Sequence, residues 1–285
     1  MSSLSRWMAL AVTLLASPAM AAEEPLVMLV MDPMSLQLSC DCVKGYAQRK
    51  YDKLGEHLEK ALSREVEVVW AESLAKGATE ADGRSADLII GKHSVVLVDA
   101  KKESWPAEPI ASLTDKSGKT TQSGLVVVRK DDSAKTVGDL KGYRVLFGPA
   151  DCDEKSTAPM ALLRNAGVEV AKQPETAESC SIAATKLFEL PADVQAAAVI
   201  SSYAEPLLAG CGAIKQGDLR IVGESAPVPF ITAFVKGTLP AGDRAAIREA
   251  LLKVGEQADL LIALETAAGF VPYEAAPKVA AAKKK

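Results

Sequence analysis

Apolar residues along the chain fall into short blocks separated by polar segments of helical period. Pro25 to Met31 (PLVMLVM) is a continuous apolar run, short enough to read as a strand buried on both faces of a parallel sheet. Tyr46, Leu54, Leu58 and Leu62 then share one helical face, with Lys, Arg and Glu between them, which predicts an amphipathic helix over Val43 to Leu62. Val66 to Trp70 (VEVVW) predicts the next strand, Ser73 to Gly83 a weaker helix and Asp87 to Gly91 (DLIIG) a third strand. The alternation predicts an α/β fold with open, mostly parallel sheets and crossover helices.

The pattern begins again after the middle of the chain. Gly124 to Arg129, Tyr143 to Phe147 and Ala196 to Ile200 predict strands, with a short helical turn at Thr136 to Leu140 and a helix at Thr157 to Ala166 between them. Two sheets are therefore implied. A strand at Ile231 to Val235 and helices at Ala241 to Gly255 and Gln257 to Thr266 follow. The Ala/Lys-rich end from Ala275 predicts disorder, so residues 273–285 are assigned to a tail.

The amino-terminal residues carry a different signal. After Arg6, Trp7 to Ala16 is apolar, and Ser17-Pro18-Ala19-Met20-Ala21 has the small-residue pattern of a cleavage site, so residues 1–21 read as a secretory signal peptide. The apolar run is too short for a bilayer core of roughly 30 Å, which needs about 20 residues. A soluble, exported protein is expected. The 285 residues are 48% hydrophobic and 25% charged, enough for one large or two smaller domains, and the formal net charge is −4 with Lys and Arg dispersed. That distribution lacks the basic footprint of a nucleic-acid partner.

Export makes the five cysteines, Cys40, Cys42, Cys152, Cys180 and Cys211, informative, because disulfides persist in an oxidising compartment. A structural disulfide among Cys152, Cys180 and Cys211 is expected, with Cys180 as a member, and the odd count leaves at least one thiol over. Asp151, Asp153 and Glu154 form a short acidic cluster whose spacing does not match a calcium loop, and they are expected to be solvated or to cap a helix. His57 lies in a charged helix, and Trp70 and Trp105 read as packing residues. The chain has no G-x-S-x-G, H-E-x-x-H or Walker sequence, so no enzyme activity is expected.

Several stretches, in register over nearly the whole mature chain, resemble the PhnD-like phosphate, phosphite and phosphonate branch of the type 2 periplasmic binding proteins. They are Gln48-Arg49, ADLIIG ending at Gly91, SGLVVVRKDDSAKTVGDLKGYRVLFG from Ser123 to Gly148, DCDEKSTAPMALLRNAGV, the AAAV strand and PVPFITAFVKGTLPAGDRAAIREALL from Pro227 to Leu252. The most specific piece is V-x-D-L-K-G-x-x-x-x-F-G. The resemblance implies two Rossmann-like lobes joined by a two-strand hinge, with residues 24–123 and 226–272 forming lobe 1 and residues 124–225 lobe 2. It also implies a monomeric capture protein for an ABC importer, serving a permease in the inner membrane from the periplasm and closing by hinge motion.

In open α/β sheets ligands bind beyond the carboxyl ends of the strands, where helix N-termini favour anions. The loops so placed nominate Ser94, Thr121, Gln122, Ser123, Asp151, Lys155, Ser156, Cys180, Ser181, Ser202 and Tyr203 for a small polar or anionic ligand of the phosphonate or phosphate class. The resemblance implies a Ser-Thr-Ser triplet at one helix start and a His at a second. Aligned on Phe147-Gly148, this chain has Glu154-Lys155-Ser156 and, at the His position, Cys180. A carboxylate there repels an anion, so either Lys155 offsets it or the ligand is not a phosphonate. No cofactor is expected on this reading. An alternative is a soft-metal carrier or accessory protein holding Cu or Zn through Cys40, Cys42, His93 and Cys152; another is a ligand-sensing module.

Overall fold

A computed structural model describes residues 24–39, 43 and 47–274. The export segment, the Cys40-Asp41-Cys42 motif, Tyr46 and residues 275–285 lie outside the described residues. The chain opens with β1 (Leu26–Met31), α1 (Tyr51–Leu62), β2 (Val66–Trp70), α2 (Leu74–Glu80), β3 (Leu88–Lys92), α3 (His93–Lys102) and β4 (Ala107–Leu113). A crossing strand β5 (Thr121–Gln122) leads to β6 (Gly124–Arg129), β7 (Arg144–Phe147), α4 (Thr157–Asn165), β8 (Glu175–Thr176), α5 (Cys180–Glu189), β9 (Ala196–Ser201), α6 (Ala204–Gly210) and β10 (Leu219–Glu224). The return strand β11 (Val228–Pro229) precedes β12 (Ile231–Lys236), α7 (Ala241–Leu252), α8 (Ala258–Ala263) and β13 (Phe270–Pro272).

The strands assemble into two main sheets, ordered β13-β4-β12-β3-β1-β2 and β10-β6-β9-β7-β8, and β5 pairs antiparallel with β11 where the chain crosses between them. We call the two bodies lobe 1 and lobe 2. Neither sheet is mostly parallel, contrary to the expectation from the sequence. β2, β1 and β3 run parallel, but β12 inserts between β3 and β4 antiparallel to both. The reason is topological: β12 belongs to the chain returning from lobe 2, and it enters the first sheet from the opposite end.

Each sheet is covered on both faces, which explains the unbroken apolar runs. Leu26, Met28 and Val30 pack with Tyr51, Leu54 and Leu58 of α1, whereas Val27, Leu29 and Met31 pack with Leu74, Val96 and Ala100 on the other side. In lobe 2, Val127, Ala198 and Ile200 meet Ala184 and Leu187 of α5, and Val126, Val128 and Val199 meet Leu140 and Leu163. Among the described residues no helix is long and apolar enough to cross a membrane.

The first predicted helix is shorter than its apolar pattern. It begins at Tyr51 because Arg49 is held in a bridge to Ser35 and its guanidinium is buried. There Arg49 Nη1 donates to Asp32 Oδ2 at 2.8 Å, Tyr51 Oη donates to the same oxygen at 2.6 Å, and Arg49 Nε donates to the Leu264 carbonyl at 3.1 Å. Burial drives the Tyr51 phenol upward and the Asp32 carboxylate beside it adds to the shift. This network ties the end of β1 to the start of α1 and to the end of α8, and so fixes the loop that leaves β1. Asp32→Leu should destabilise the protein by about 3–5 kcal/mol by stranding a buried guanidinium. Urea unfolding measures it, and a loss below about 1 kcal/mol contradicts the assigned role.

Candidate functional site

The carboxyl ends of β1 and β3 in lobe 1 face the loop Gly148 to Ser156 and the start of α5 in lobe 2. Between them lies a cavity of about 400 Å³ whose lining includes Met31, Pro33, Val43, Lys92, Val95, Asp151, Cys152, Lys155, Cys180, Ser181 and Tyr203. Its position follows from elementary geometry, since the loops that leave the sheet on that edge can reach across to the other lobe.

The lobes touch directly at its floor. Lys92, the last residue of β3, pairs with Glu154 of a short 3-10 turn (Asp153–Lys155) in lobe 2, with only 9% and 4% of the two side chains exposed. Lys92 Nζ also donates to Cys152 Sγ at 3.0 Å, and the ammonium sits 5.7 Å from the centre of the Phe230 ring. The Cys152 thiol donates to the Glu154 carboxylate at 3.1 Å, and Ser201 Oγ, at the end of β9, donates to it at 3.0 Å. Beside this cluster, Ser94 Oγ donates to the Asp151 carbonyl at 2.7 Å and accepts from the Asp153 N–H at 3.1 Å.

Protonation states follow from these partners. Burial alone drives the Lys92 ammonium down, but the Glu154 carboxylate more than reverses that and holds it well above its ordinary value. Burial likewise raises Glu154, yet Lys92 and the hydrogen bonds to the carboxylate bring it down to about 2. Burial pushes the Cys152 thiol up to about 11, so at neutral pH it is a protonated donor. Glycine makes the approach possible: a Cβ on Gly124 would lie 2.0 Å from the Glu154 carbonyl oxygen, and one on Gly148 would lie 2.4 Å from Cβ of Lys155.

Lys155 is 7% exposed, lines the cavity and forms no ion pair among the described residues. The sequence left open whether Lys155 offsets Glu154 or the ligand is not a phosphonate; Lys155 does help to lower the Glu154 carboxylate, but the ion-pair partner is Lys92, which the sequence did not single out. The available signal was a lysine directly after an apolar strand, at the strand end where ligands bind. Glu154 is correspondingly neither solvated nor a helix cap.

The nominated residues divide into groups. Asp151, Lys155, Cys180, Ser181 and Tyr203 line the cavity between the lobes. Ser94 spends its hydroxyl on lobe 2 backbone, and Ser156 is buried at the start of α4, outside the cavity lining. Thr121, Gln122, Ser123 and Ser202 line a second cavity of about 790 Å³ beside the crossing strands, where Ser202 Oγ donates to Gln122 Oε1 at 2.5 Å and Ser123 Oγ donates to Glu224. Tyr203 borders both cavities, its ring 5.4 Å from that of Phe230, and burial raises its phenol.

Two expectations about metal and disulfide chemistry meet different neighbours. His93 is not in a loop facing the cleft but is the first residue of α3; Nδ1 lies 3.1 Å from Thr232 Oγ1, and the ring packs 5.4 Å from Phe234 and 5.5 Å from Tyr273. Burial lowers its pKa, with Asp153 opposing. Cys40 and Cys42 lie outside the described residues, and among those described no group of three or more His, Cys, Asp and Glu could hold a metal ion. Cys152, Cys180 and Cys211 are thiols, correcting the expected disulfide. Each has a local partner: Cys152 the carboxylate, Cys180 the Ser201 N–H at 3.4 Å, and Cys211 the Leu208 carbonyl at 3.5 Å.

With this architecture in view, the relatives are informative. Residues 45–276 match the family of the ABC transporter phosphonate periplasmic substrate-binding proteins, and the chain belongs to that family. The fold is that of the type 2 periplasmic binding proteins. Similar solved structures include a Xanthomonas citri protein bound to chloride ion, 18% identical, covering 87% of this chain and 91% of its own, with a TM-score of 0.63. A binding-protein component of an ABC phosphonate transporter from Pseudomonas aeruginosa is 13% identical over 88% of this chain and 82% of its own, with a TM-score of 0.63. PhnD1 of Prochlorococcus marinus in complex with methylphosphonate is 17% identical over 87% and 92%, with a TM-score of 0.61. No curated protein matches the chain.

Three outcomes test the cluster. Glu154→Leu or Lys92→Met alone should cost about 3–5 kcal/mol in urea unfolding, while Lys92→Met with Glu154→Leu should recover much of the loss; additive losses contradict direct pairing. The stability contributed by Glu154 should be complete above its ordinary value of 4.5 and disappear as pH falls through about 2. Denaturation between pH 5 and pH 2 should therefore steepen in the natural protein relative to the double variant, and parallel curves contradict the pairing. Native iodoacetamide labelling at pH 8 should reach Cys180 well before Cys152; the reverse order would place the Cys152 thiol outside the cluster.

Proposed function

We propose that this chain is the periplasmic capture component of an ABC importer. It is exported by its amino-terminal signal, holds a small anion of the phosphonate or phosphate class between its lobes without chemical change, and delivers it as a monomer to a permease of the inner membrane. Family membership supports the transport role. The observation that carries the ligand reading is Lys155: a buried ammonium lining a cavity between two lobes, with no ion-pair partner among the described residues.

Physical chemistry favours an anion there. A buried ammonium outside any ion pair is costly, and an anionic ligand that enters the cavity and contacts it offsets that cost at the moment of binding. The neighbouring Lys92 is already neutralised by Glu154, so the pair adds no net charge to the floor. Binding would then bridge Lys155 and the α5 start of lobe 2 to the β1 and β3 ends of lobe 1, with β5 and β11 as the hinge. Nothing in this role requires a nucleophile, a general base or a metal.

Thermal unfolding with phosphate, phosphite, phosphonates and sulfonates tests the proposal. A ligand at 100 times its Kd adds about 2.7 kcal/mol, a rise of about 5–10 °C for a chain of this size. Lys155→Met should weaken any anion that binds by at least about tenfold, as expected for the loss of a charge-assisted hydrogen bond. No stabilisation by any member of the panel at millimolar concentration contradicts the reading, as does unchanged affinity in Lys155→Met.

A further inference from the structure

Two features of the cavity between the lobes point beyond an unspecified anion, and both rest on the capture reading above. The first is that two donors on its lining are already occupied. Lys92 Nζ and the Cys152 thiol, one from each lobe, line the cavity, yet both donate to the Glu154 carboxylate, which is buried behind the lining with Ser201 Oγ as a third donor. The protein's own carboxylate thus holds two donors that an oxyanion entering the cavity would otherwise meet. A free phosphate would have to displace it or approach it as a like charge in a site shielded from water.

The second feature is the remaining space and its walls. Met31, Pro33, Val43, Val95, Leu207 and Leu208 line the cavity. Its volume of about 400 Å³ corresponds to about thirteen water volumes at roughly 30 Å³ each. Inorganic phosphate or methylphosphonate, each of five heavy atoms, leaves most of that apolar wall in contact with water. Of the carboxylates on the lining, Glu72 is exposed and paired with Lys76, Glu178 is exposed, and Asp151 is half-buried, so all three are better screened than Lys155.

We propose that the ligand is an organic anion with an apolar body: its anionic group pairs with Lys155, its body lies on the wall formed by Pro33, Val95 and Leu207, and Glu154 excludes small oxyanions by occupying the remaining donors. Glu154 is thus a specificity residue. It fills with an intramolecular carboxylate the donors a bare oxyanion would need, and so makes contact with the apolar wall the main source of further affinity.

Calorimetric titration with inorganic phosphate, methylphosphonate, butylphosphonate and phenylphosphonate tests this directly. Butylphosphonate or phenylphosphonate should bind the natural protein at least about tenfold more tightly than methylphosphonate or phosphate. Val95→Thr, which keeps the shape and adds a hydroxyl, should weaken phenylphosphonate several-fold and leave methylphosphonate unchanged. Glu154→Gln, with folding checked by circular dichroism, should tighten phosphate and methylphosphonate by about tenfold or more. Phosphate or methylphosphonate binding the natural protein as tightly as the larger anions overturns the inference and leaves the capture role standing. Failure of all four probes removes the capture role and this inference together.

Discussion

The arrangement depends on one buried ion pair where the two lobes meet. Lys92 ends a strand of the first sheet and Glu154 lies in a 3-10 turn of the second lobe, so their contact joins the lobes where a cleft would otherwise open. A pair of this kind gains its Coulomb attraction at the expense of two desolvated charges, and removing one partner is far worse than removing both. Its value is therefore one of arrangement more than of net stability. The thiol of Cys152 and the hydroxyl of Ser201 complete the shell around the carboxylate, and the close approach permitted by Gly124 seats the turn.

From that pair follows the charge logic of the site. With Glu154 neutralised by Lys92, the adjacent Lys155 is left as a buried charge without an ion-pair partner among the described residues, next to a largely apolar wall. A carboxylate that looks hostile to anion capture in the bare sequence is thus held in an ion pair and saturated with donors. The Asp32, Arg49 and Tyr51 network has a parallel task on lobe 1, where it holds the departure of the chain from β1 at the edge of the same cavity.

The division of labour around the crossing strands also separates residues that the linear order brings together. Gln122, Ser123 and Ser202 satisfy one another and Glu224 close to the hinge strands, while Ser94 bonds to lobe 2 backbone across the cleft. These hydroxyls stabilise the relation between lobes. Of the residues nominated from the sequence, those that line the space between the lobes are fewer: Lys155, Asp151, Ser181, Cys180 and Tyr203.

By itself the sequence determined the strands whose apolar runs are unbroken, such as LVMLVM and AAAVIS, because these are buried on both faces and need no distant partner to be recognised; β4 and β10, with polar residues among the apolar ones, were not legible in it. It also pointed to the edge of the sheets that borders the cavity between the lobes, and it nominated Lys155, which lines that cavity. Only the tertiary structure decided that β12 runs against its neighbours, that His93 packs between Phe234 and Tyr273, and that Lys92 belongs to Glu154. Apolar periodicity is a local property, legible within a dozen residues. The partner of a buried charge is chosen by the meeting of segments 62 residues apart, and nothing in either segment records where the other will be placed.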